Sequence, residues 1–467
     1  MKVQPYPFKE KATQGVRNVP LRTAITNATF LQDGKRRSRG PDLPDLLALR
    51  TLAGRIKQHT IDHLDTYLAQ FVDSATAAGA TIHYAATTEE VHAEVADIVT
   101  RSGLKNIIKA KSMVSEEVEL NHMLEKIAEV VETDLGEFIV QIDKDKPCHI
   151  VTPVIHKTAK DIGASLHRFL GAEYSEDPQT LTKVAREYLR EKFRSGEIGI
   201  SGANFAVAET GSLVVCTNEG NGRMCTSRPK IHIALMGIEK VIPRLKDLSV
   251  FLKLLARSAT GQTLTVYTSM LTGPRRADEL DGPEELHIVL IDRGRMRNLA
   301  SPYRQTLGCI RCGACMNACP VYRNVGGGHA YGGIYPGPIG SLLTPLYDGF
   351  EKYKVLPHAS SLCGACAEAC PVRIPLPELL IQMRNEQINR GITHWIERAI
   401  FWIWTVGLRF TWMYVIGQKC AAWFMRYILG KKGWVHWVPG PPGGWTRKRP
   451  LPVMAKKSFR SQWKKMK

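Results

Sequence analysis

The feature that most constrains this chain is a pair of cysteine runs in its C-terminal third. The runs are Cys309-Ile-Arg-Cys312-Gly-Ala-Cys315-Met-Asn-Ala-Cys319-Pro320 and Cys363-Gly-Ala-Cys366-Ala-Glu-Ala-Cys370-Pro371. The first has the C-x2-C-x2-C-x3-C-P spacing of iron–sulfur proteins, in which three close thiolates bind one cluster and the fourth binds the other. Two such runs predict two clusters that exchange one ligand, and hence a chain that carries electrons.

The spacing assigns each cysteine to a cluster. Cluster 1 is predicted to be held by Cys309, Cys312, Cys315 and Cys370, and cluster 2 by Cys319, Cys363 and Cys366. The second run has Ser360 where the first has Cys309, so cluster 2 lacks one thiolate. A [4Fe–4S] cluster normally takes four cysteines. Both clusters are expected to be [4Fe–4S]. For cluster 2 there are two alternatives: Ser360 or another group supplies a non-cysteine fourth ligand, or the cluster loses one iron and becomes [3Fe–4S].

Two other uses of clustered cysteines fit less well. Zinc sites usually show two separated C-x2–4-C pairs. Residues 1–8 contain no apolar signal segment, and this absence predicts a cytoplasmic protein. Disulfides are therefore disfavoured, and the crowding of seven thiols into two short runs also argues against them. The remaining cysteines are scattered and are predicted to be small buried hydrophobic side chains. They are Cys148, Cys216, Cys225 and Cys420.

The formal charge of +19 is concentrated near the C-terminus. Fifteen of the 63 Lys and Arg residues lie from Arg398 to Lys467, which contains no Asp or Glu, so the other 48 nearly balance the 44 acidic residues. All nine Trp fall between Trp395 and Trp463. The basic residues of Trp395–Leu429 share one side of a helix, which predicts a single amphipathic helix whose apolar stretches are too short to span a bilayer.

This tail has three interpretations. Docking onto a partner subunit is slightly favoured, docking onto the chain's own core is the plainer alternative, and contact with a membrane surface, which a basic, Trp-rich helix also suits, stays open. Nucleic-acid binding comes third. Because no recognised nucleic-acid module accompanies the tail, no nucleic-acid partner is predicted.

The order of elements predicts four regions. Residues 1–44 are a polar arm, 45–295 an α/β domain, 300–390 the iron–sulfur module and 391–467 the basic aromatic tail. In the α/β domain, apolar runs such as Thr81–Tyr84, Asn106–Ala110, Glu129–Glu132 and Glu137–Ile142 alternate with helical patterns, which predicts a mostly parallel sheet. One helix is expected over Leu46–Ala78.

The densest polar motif of the α/β domain runs from Ser201 to Arg223 and includes Glu209. Each residue alone fits a hairpin with glycine turns, but the cluster favours a ligand site, with Glu209 as a candidate carboxylate base or nucleophile. His149 and His156 flank a predicted strand, Ile150–Ile155, and are interpreted as structural. No Walker A loop or Rossmann fingerprint is present, so the chain shows no NAD, FAD or ATP site of those types.

Four stretches carry a resemblance to a known family. They are Ala203–Met224, Ala256–Gln262, Leu307–Tyr335 and Ser360–Val372. On these motifs the chain resembles the lactate utilisation protein B family, the iron–sulfur subunit of the bacterial L-lactate oxidation system. The resemblance implies a LUD domain, similar in fold to CoA-transferases and ribose-phosphate isomerases, followed by an α-helical ferredoxin domain with the seven cysteines as ligands.

The resemblance also implies a role. The chain is expected to be a non-autonomous electron-transfer subunit of a complex that oxidises L-lactate to pyruvate and allows growth on lactate. The implied partners are a Cys-rich iron–sulfur subunit, a second LUD protein and an electron acceptor at the membrane surface or on the quinone side, with the chain cytoplasmic or peripheral at the inner membrane face. The alternative is that the chain itself carries a LUD pocket for a small carboxylate, with the clusters as electron outlet. No catalytic residue is assigned.

Overall fold

The computed structural model of the chain describes residues 3–393, 395–431, 433–438, 443–446, 449–455 and 457–466. Parts of the tail predicted for 391–467 thus lie outside the described residues. The chain divides into two compact units, one up to Glu386 and one from Gln387 onward.

The first unit contains ten strands within residues 3–386, all of which the structure describes. They are β1 Thr81–Ala85, β2 Asn106–Lys109, β3 Glu129–Glu132, β4 Ile198–Gly202, β5 Phe205–Val207, β6 Ser212–Thr217, β7 Ile231–Gly237, β8 Val241–Ile242, β9 Tyr267–Leu271 and β10 Glu285–Ile291. Six of them form a sheet of order β1-β10-β7-β4-β2-β3 in which every pairing is parallel. This confirms the predicted mostly parallel sheet.

The centre of this sheet is fully covered. All seven residues of β7 are buried, as expected for a parallel strand with helices on both faces. A second, mixed sheet has the order β8-β5-β6-β9, and its strands β5 and β6 carry the middle of the polar motif that begins at Ser201. Gly202 at the end of β4 and Thr217 at the end of β6 line one cleft together with Arg311 and Cys312.

The helices of the first unit include short ones around the cysteines. They are α1 Phe8–Arg17, α2 Val19–Ser38, α3 Leu46–Asp62, α4 Leu64–Ala77, α5 Thr88–Ser102, α6 Met113–Glu117, α7 Leu120–Leu124, α8 Leu135–Ile142, α9 Ala159–Leu170, α10 Pro178–Ser195, α11 Asn221–Ser227, α12 Leu245–Thr260, α13 Arg295–Leu299, α14 Ala314–Ala318, α15 Pro320–Asn324, α16 Gly337–Asp348, α17 Ala365–Ala369 and α18 Leu376–Asn389, whose last residues belong to the second unit.

Three elements predicted for the α/β domain differ from the structure. The apolar run Glu137–Ile142 is helical because the Asp134 carboxylate accepts the N–H groups of Gly136 and Glu137 and so caps α8. The helix predicted over Leu46–Ala78 is two helices that break at His63. The stretch Ile150–Ile155 forms bends and turns rather than a strand.

The predicted N-terminal arm is helical. Ile25 and Thr29 of α2 are fully buried, and the Arg323 side chain of α15 donates to the Thr29 hydroxyl at 3.2 Å. Gly15 of α1 lies so close to Val325 that an added Cβ would overlap the Val325 carbonyl. The arm therefore packs directly on the region that carries the first cysteine run.

The second unit begins with two helices where one was predicted. They are α19 Trp395–Arg409 and α20 Thr411–Phe424, followed by a π-helical turn Met425–Leu429, β11 Gly430–Lys431, β12 Trp434–Val435, α21 Gly443–Thr446, β13 Leu451–Pro452 and α22 Phe459–Met466. Among the described residues no single helix is both long and apolar enough to cross a membrane. The pair Trp395–Arg409 and Thr411–Leu429 meets that criterion only together, and it is bent by 115°.

Candidate iron–sulfur centre and adjoining cleft

The structure brings four cysteines of the two runs to one small cavity. Cys309, Cys312, Cys315 and Cys370 line it, together with apolar side chains that include Ile150, Ile310, Ile339, Ile374 and Leu376. Burial raises the pKa of Cys370 to about 11, and burial raises the pKa of Cys312 and Cys315 further above the usual range. Neighbouring thiols add to each shift. Four thiolates in so apolar a space require a compensating positive charge, and an iron–sulfur core supplies one, so the donor set fits the predicted cluster 1.

The other three cysteines form a second group. Burial, followed by the neighbouring Cys319, raises the pKa of Cys366 to about 12. Cys363 is exposed, and its pKa is lowered, first by the backbone N–H of Ala365 and then by the Ser361 hydroxyl. Cys319, Cys363 and Cys366 are thus neighbours, as the predicted cluster 2 requires.

The two cysteine runs share one backbone path. The chain enters the left-handed region at matching positions, with φ of 60° at Arg311, 77° at Gly313, 55° at Leu362 and 83° at Gly364. In the first run the Arg311 N–H donates to the Cys309 sulfur at 3.4 Å. In the second run the Leu362 N–H donates to the Ser360 hydroxyl oxygen at 3.1 Å. The Ser360 oxygen therefore takes the place that the Cys309 sulfur has in the first run.

Neighbouring elements fix both runs in place. The Arg50 guanidinium of α3 donates to the Cys370 carbonyl at 2.9 and 3.2 Å. The Cys370 sulfur accepts the Ile374 N–H at 3.4 Å, and the Cys319 sulfur accepts the Tyr322 N–H at 3.5 Å. Backbone donors to the sulfurs stabilise thiolate ligands and tune cluster potentials.

A buried charge network lies beside the cluster 1 cysteines. Arg295 of α13 is fully buried and donates to Glu239 at 2.6 Å and to Glu117 at 2.9 Å. The Arg311 guanidinium donates to Glu239 at 3.3 Å and stacks on the Tyr335 ring at 4.3 Å. Burial alone would raise the pKa of Glu239, but Arg295 and Arg311 outweigh it and lower that pKa to about 2. The network keeps Glu239 ionised and orients Arg311.

A cleft of about 360 Å³ opens on the other side of Arg311. Its walls include Ser112, Asn204, Asn218, Glu219, Lys240, Gln262, Arg311, Cys312 and Tyr335. Ile150, Arg311 and Cys312 line both this cleft and the thiol cavity, so the two spaces share a wall. A volume above about 300 Å³ is in the range of ligand pockets.

The polar motif predicted as a ligand site divides between two places. Gly202, Asn204, Glu219 and Asn221 line the cleft, whereas Glu209 is exposed and accepts the Leu245 N–H at 2.8 Å. Glu209 thus caps the N-terminus of α12 and does not face the cleft. That placement removes the reason to consider Glu209 a base or nucleophile.

The cleft also contains charged residues that sequence reasoning missed. Lys240 lies in the apolar stretch Ile238-Glu239-Lys240-Val241, and Arg311 lies between two cysteines. Two sequence signals could have found them: the charged residues Glu239 and Lys240 stand between apolar residues, and Arg311 stands between two predicted cluster ligands. Only the fold shows that both face one cleft, because they are 71 positions apart (311 less 240).

The two histidines have different surroundings. His149 is buried, and its ring bonds Asn317 at 3.1 Å and accepts the N–H groups of Val151 and Thr152, which fits a structural role. His156 bonds Asp145 at 2.9 Å. Cys148, His156 and His329 lie together, with their potential ligand atoms within 4.8 Å of one another. The interpretation of His156 as structural stays a prediction.

The four cysteines outside the two runs differ in burial. Cys148 and Cys225 are buried, as predicted, and Cys216 is partly buried. Cys420 is exposed on α20, so the prediction that it is a buried hydrophobic side chain is wrong. Its helix buries none of its residues, which explains the difference.

Family comparisons cover both halves of the first unit. A LUD domain model matches residues 68–291, and a 4Fe-4S dicluster domain model matches residues 305–374. Together with the parallel sheet and the helical segments that follow, these matches confirm the predicted fold class. They also support iron–sulfur clusters in the region of the two cysteine runs.

Several curated proteins are similar over their whole length. "Lactate utilization protein B" of Shouchella clausii is 44% identical over 99% of this chain and 98% of that protein. "Uncharacterized electron transport protein YkgF" of Escherichia coli K12 is 43% identical over 98% of this chain and 96% of that protein. A crystal structure of a DUF162 family protein from Deinococcus radiodurans aligns with a TM-score of 0.27 and 11% identity over 49% of this chain and 98% of that chain, a likeness too weak to support an argument.

Proposed function

Because this chain belongs to the lactate utilization protein B family, we propose that it is the iron–sulfur electron-transfer subunit of a complex that oxidises L-lactate to pyruvate and allows growth on lactate. The observation that carries the proposal is the apolar cavity lined by Cys309, Cys312, Cys315 and Cys370. When bound there, a cluster would accept and release single electrons. We also propose that the seven cysteines of the two runs are the cluster ligands. The proposed regions of the chain are 1–44, 45–295, 300–390 and 391–467.

The proposed ligand sets differ in their most exposed member. In the first set Cys312 and Cys370 are buried and Cys309 and Cys315 are partly buried, whereas in the second set Cys319 and Cys366 are buried and Cys363 is exposed. An exposed ligand favours exchange of electrons with a partner at the surface, since electron transfer weakens steeply with distance. The second cysteine run is therefore the proposed contact with the electron donor or acceptor, and the first run serves the interior.

The proposed partners follow from the family. They are a Cys-rich iron–sulfur subunit, a second LUD protein and an acceptor at the membrane surface or on the quinone side. The proposed location is the cytoplasm, peripheral to the inner membrane face. Seven cysteine ligands suit such a reducing compartment, where thiols stay reduced.

A second candidate function is favoured by one observation, the shared wall between the cleft and the thiol cavity. In that case the chain itself would bind the small carboxylate, and the clusters would be the electron outlet. The candidates differ in whether L-lactate reduces the isolated chain.

Growth on L-lactate tests the proposal directly. A strain that lacks this gene, supplied with the Cys312→Ser or Cys363→Ser variant at normal protein level, is expected not to grow on L-lactate. Cys420→Ser is the matched control, since its thiol is exposed and outside both ligand sets. Full growth with either ligand variant would contradict the proposal.

A further inference from the structure

The cleft beside the first cysteine run contains an ammonium group that lacks a partner. Lys240 is 6% exposed, and its side chain makes no hydrogen bond or ion pair with the residues that the structure describes. Burial, followed by the nearby Arg311, lowers the pKa of Lys240 to about 8. A buried cation without a partner is costly unless it serves a ligand. An anion in the cleft would supply the missing partner.

Further donors line the same cleft. The Asn204 side-chain oxygen accepts the Cys216 N–H at 2.9 Å, and the Gln262 oxygen accepts from Asn218 at 2.8 Å. These bonds fix both amides with their NH2 groups unbonded among the described residues. Carboxylate ligands require an array of this kind, with N–H donors around at least one cation.

The acidic residues of the cleft do not cancel this preference. Asp134 is engaged as the N-cap of α8. Burial, followed by repulsion from Asp134, raises the pKa of Glu219 to about 7, so Glu219 is partly protonated near neutral pH. Of the three cations in the lining, Arg311 is paired with Glu239 at 3.3 Å and Lys111 with Glu137 at 3.6 Å, so Lys240 is the one that gives the cleft its preference for an anion.

The cleft and the predicted cluster 1 are neighbours. Arg311 and Cys312 face both spaces, and Arg311 has two side-chain N–H groups, at Nε and Nη1, without a hydrogen bond among the described residues. A one-electron reduction adds one negative charge to the thiol cavity. Because the two spaces share a wall, this added negative charge weakens the binding of an anion in the cleft. By reciprocity, a bound anion lowers the reduction potential of the cluster.

We infer that the cleft bounded by Lys240, Arg311 and Cys312 binds a short 2-hydroxy or 2-oxo carboxylate, and that the binding weakens when the neighbouring cluster is reduced. The ligand class rests on the proposed function, whereas the cleft and its charge do not. The site would couple occupancy of the LUD domain to the redox state of the ferredoxin domain.

Binding of pyruvate and of L-lactate to the cluster-loaded full chain tests the inference. Anaerobic calorimetric titrations are run on the oxidised chain and on the dithionite-reduced chain. Saturable binding to the oxidised form is expected, with about tenfold weaker binding to the reduced form, within the usual range of coupling between sites. Tenfold corresponds to a potential about 59 mV lower for one one-electron centre when the acid is bound, which a potentiometric titration measures independently.

The decisive variant is Lys240→Met, which keeps the length of the side chain and removes its charge. It is expected to weaken binding at least tenfold and to abolish the potential shift, while iron content and melting temperature stay at or above those of the unmodified chain, because an unpaired buried cation has been removed. Lys240→Arg should keep binding. Lys246→Met, at an exposed position of α12, is the matched control and should change nothing.

The outcomes separate this inference from the proposed function. If neither acid binds the oxidised chain, if Lys240→Met binds as well as the unmodified chain, or if both redox forms bind equally, the inference is wrong. A chain that binds neither acid but still supports growth on L-lactate would overturn the inference and leave the proposed function intact. A chain that binds pyruvate but cannot be reduced by dithionite would overturn the proposed electron-transfer role and the redox coupling while leaving the anion site.

Discussion

Replacing Ser360 tests the account of cluster 2. The Ser360 oxygen accepts the Leu362 N–H at 3.1 Å, as the Cys309 sulfur accepts the Arg311 N–H at 3.4 Å. The 0.3 Å difference between these distances is of the size that the larger sulfur atom requires. Cysteine at position 360 should therefore place its sulfur at the ligand position without a change in the backbone.

The expected magnitude is one iron atom. If the Ser360 oxygen holds the fourth corner of cluster 2, the unmodified chain contains about eight irons, and Ser360→Ala drops to about seven with a [3Fe–4S] signal. Ser360→Cys keeps about eight and gives cluster 2 full four-thiolate ligation, with a changed spectrum and slower loss of iron to a chelator.

The assay combines iron and sulfide analysis with electron paramagnetic resonance of the anaerobically reconstituted chain. Ser361→Ala is the matched control, since Ser361 is the adjacent residue and its hydroxyl contacts the Cys363 thiol instead. It should keep the iron content of the unmodified chain. Eight irons and an unchanged spectrum in Ser360→Ala would show that the Ser360 oxygen is not a ligand.

Three further substitutions have distinct expected results. Cys312→Ala should remove one cluster and lower the melting temperature, because cluster ligation and folding are coupled; an unchanged iron content would contradict its role as a ligand. Burial lowers the pKa of His232 to about 4. As the pH falls from about 7.5 to about 5.5, this side chain takes up a proton in the unfolded chain but not in the folded one, so the free energy of unfolding decreases by about 1 kcal/mol. His232→Gln should flatten the pH dependence of the melting temperature, and an unchanged slope would refute this. Arg295→Met leaves Glu117 and Glu239 without their shared cation and should destabilise the chain by about 3 kcal/mol or more; a calorimetric melting temperature equal to that of the unmodified chain would argue against this network.

Local sequence signals predicted much of the fold. Strands Thr81–Ala85 and Glu129–Glu132 begin where the sequence places them, because short apolar runs between helical patterns are local signals. The break at His63 and the bend between Arg409 and Thr411 were missed, because apolar periodicity continues through both positions. The helix over Leu135–Ile142 was missed because a short apolar run does not distinguish strand from helix.

The candidate site was predicted unevenly. The spacing of the two runs predicted two groups of cysteines, with Cys319 and Cys370 each assigned to the group of the other run, and that assignment stays a prediction. The cleft required the fold, because Asn204, Lys240 and Arg311 come from separate elements that meet only after the sheets and cysteine helices pack. Glu209 looked chemically apt in the sequence but caps a helix, which no spacing rule reveals.

The most direct test of the central claim is the visible absorption of the anaerobic, cluster-loaded chain, alone and with the other subunits of the lactate-oxidising system. We expect dithionite to bleach the iron–sulfur band of the chain alone, L-lactate to leave it unchanged, and L-lactate to bleach it once the partner subunits are present. Bleaching of the isolated chain by L-lactate would instead place the oxidising site in this chain. A band that stays oxidised while the complete system turns L-lactate into pyruvate would contradict an electron-transfer role.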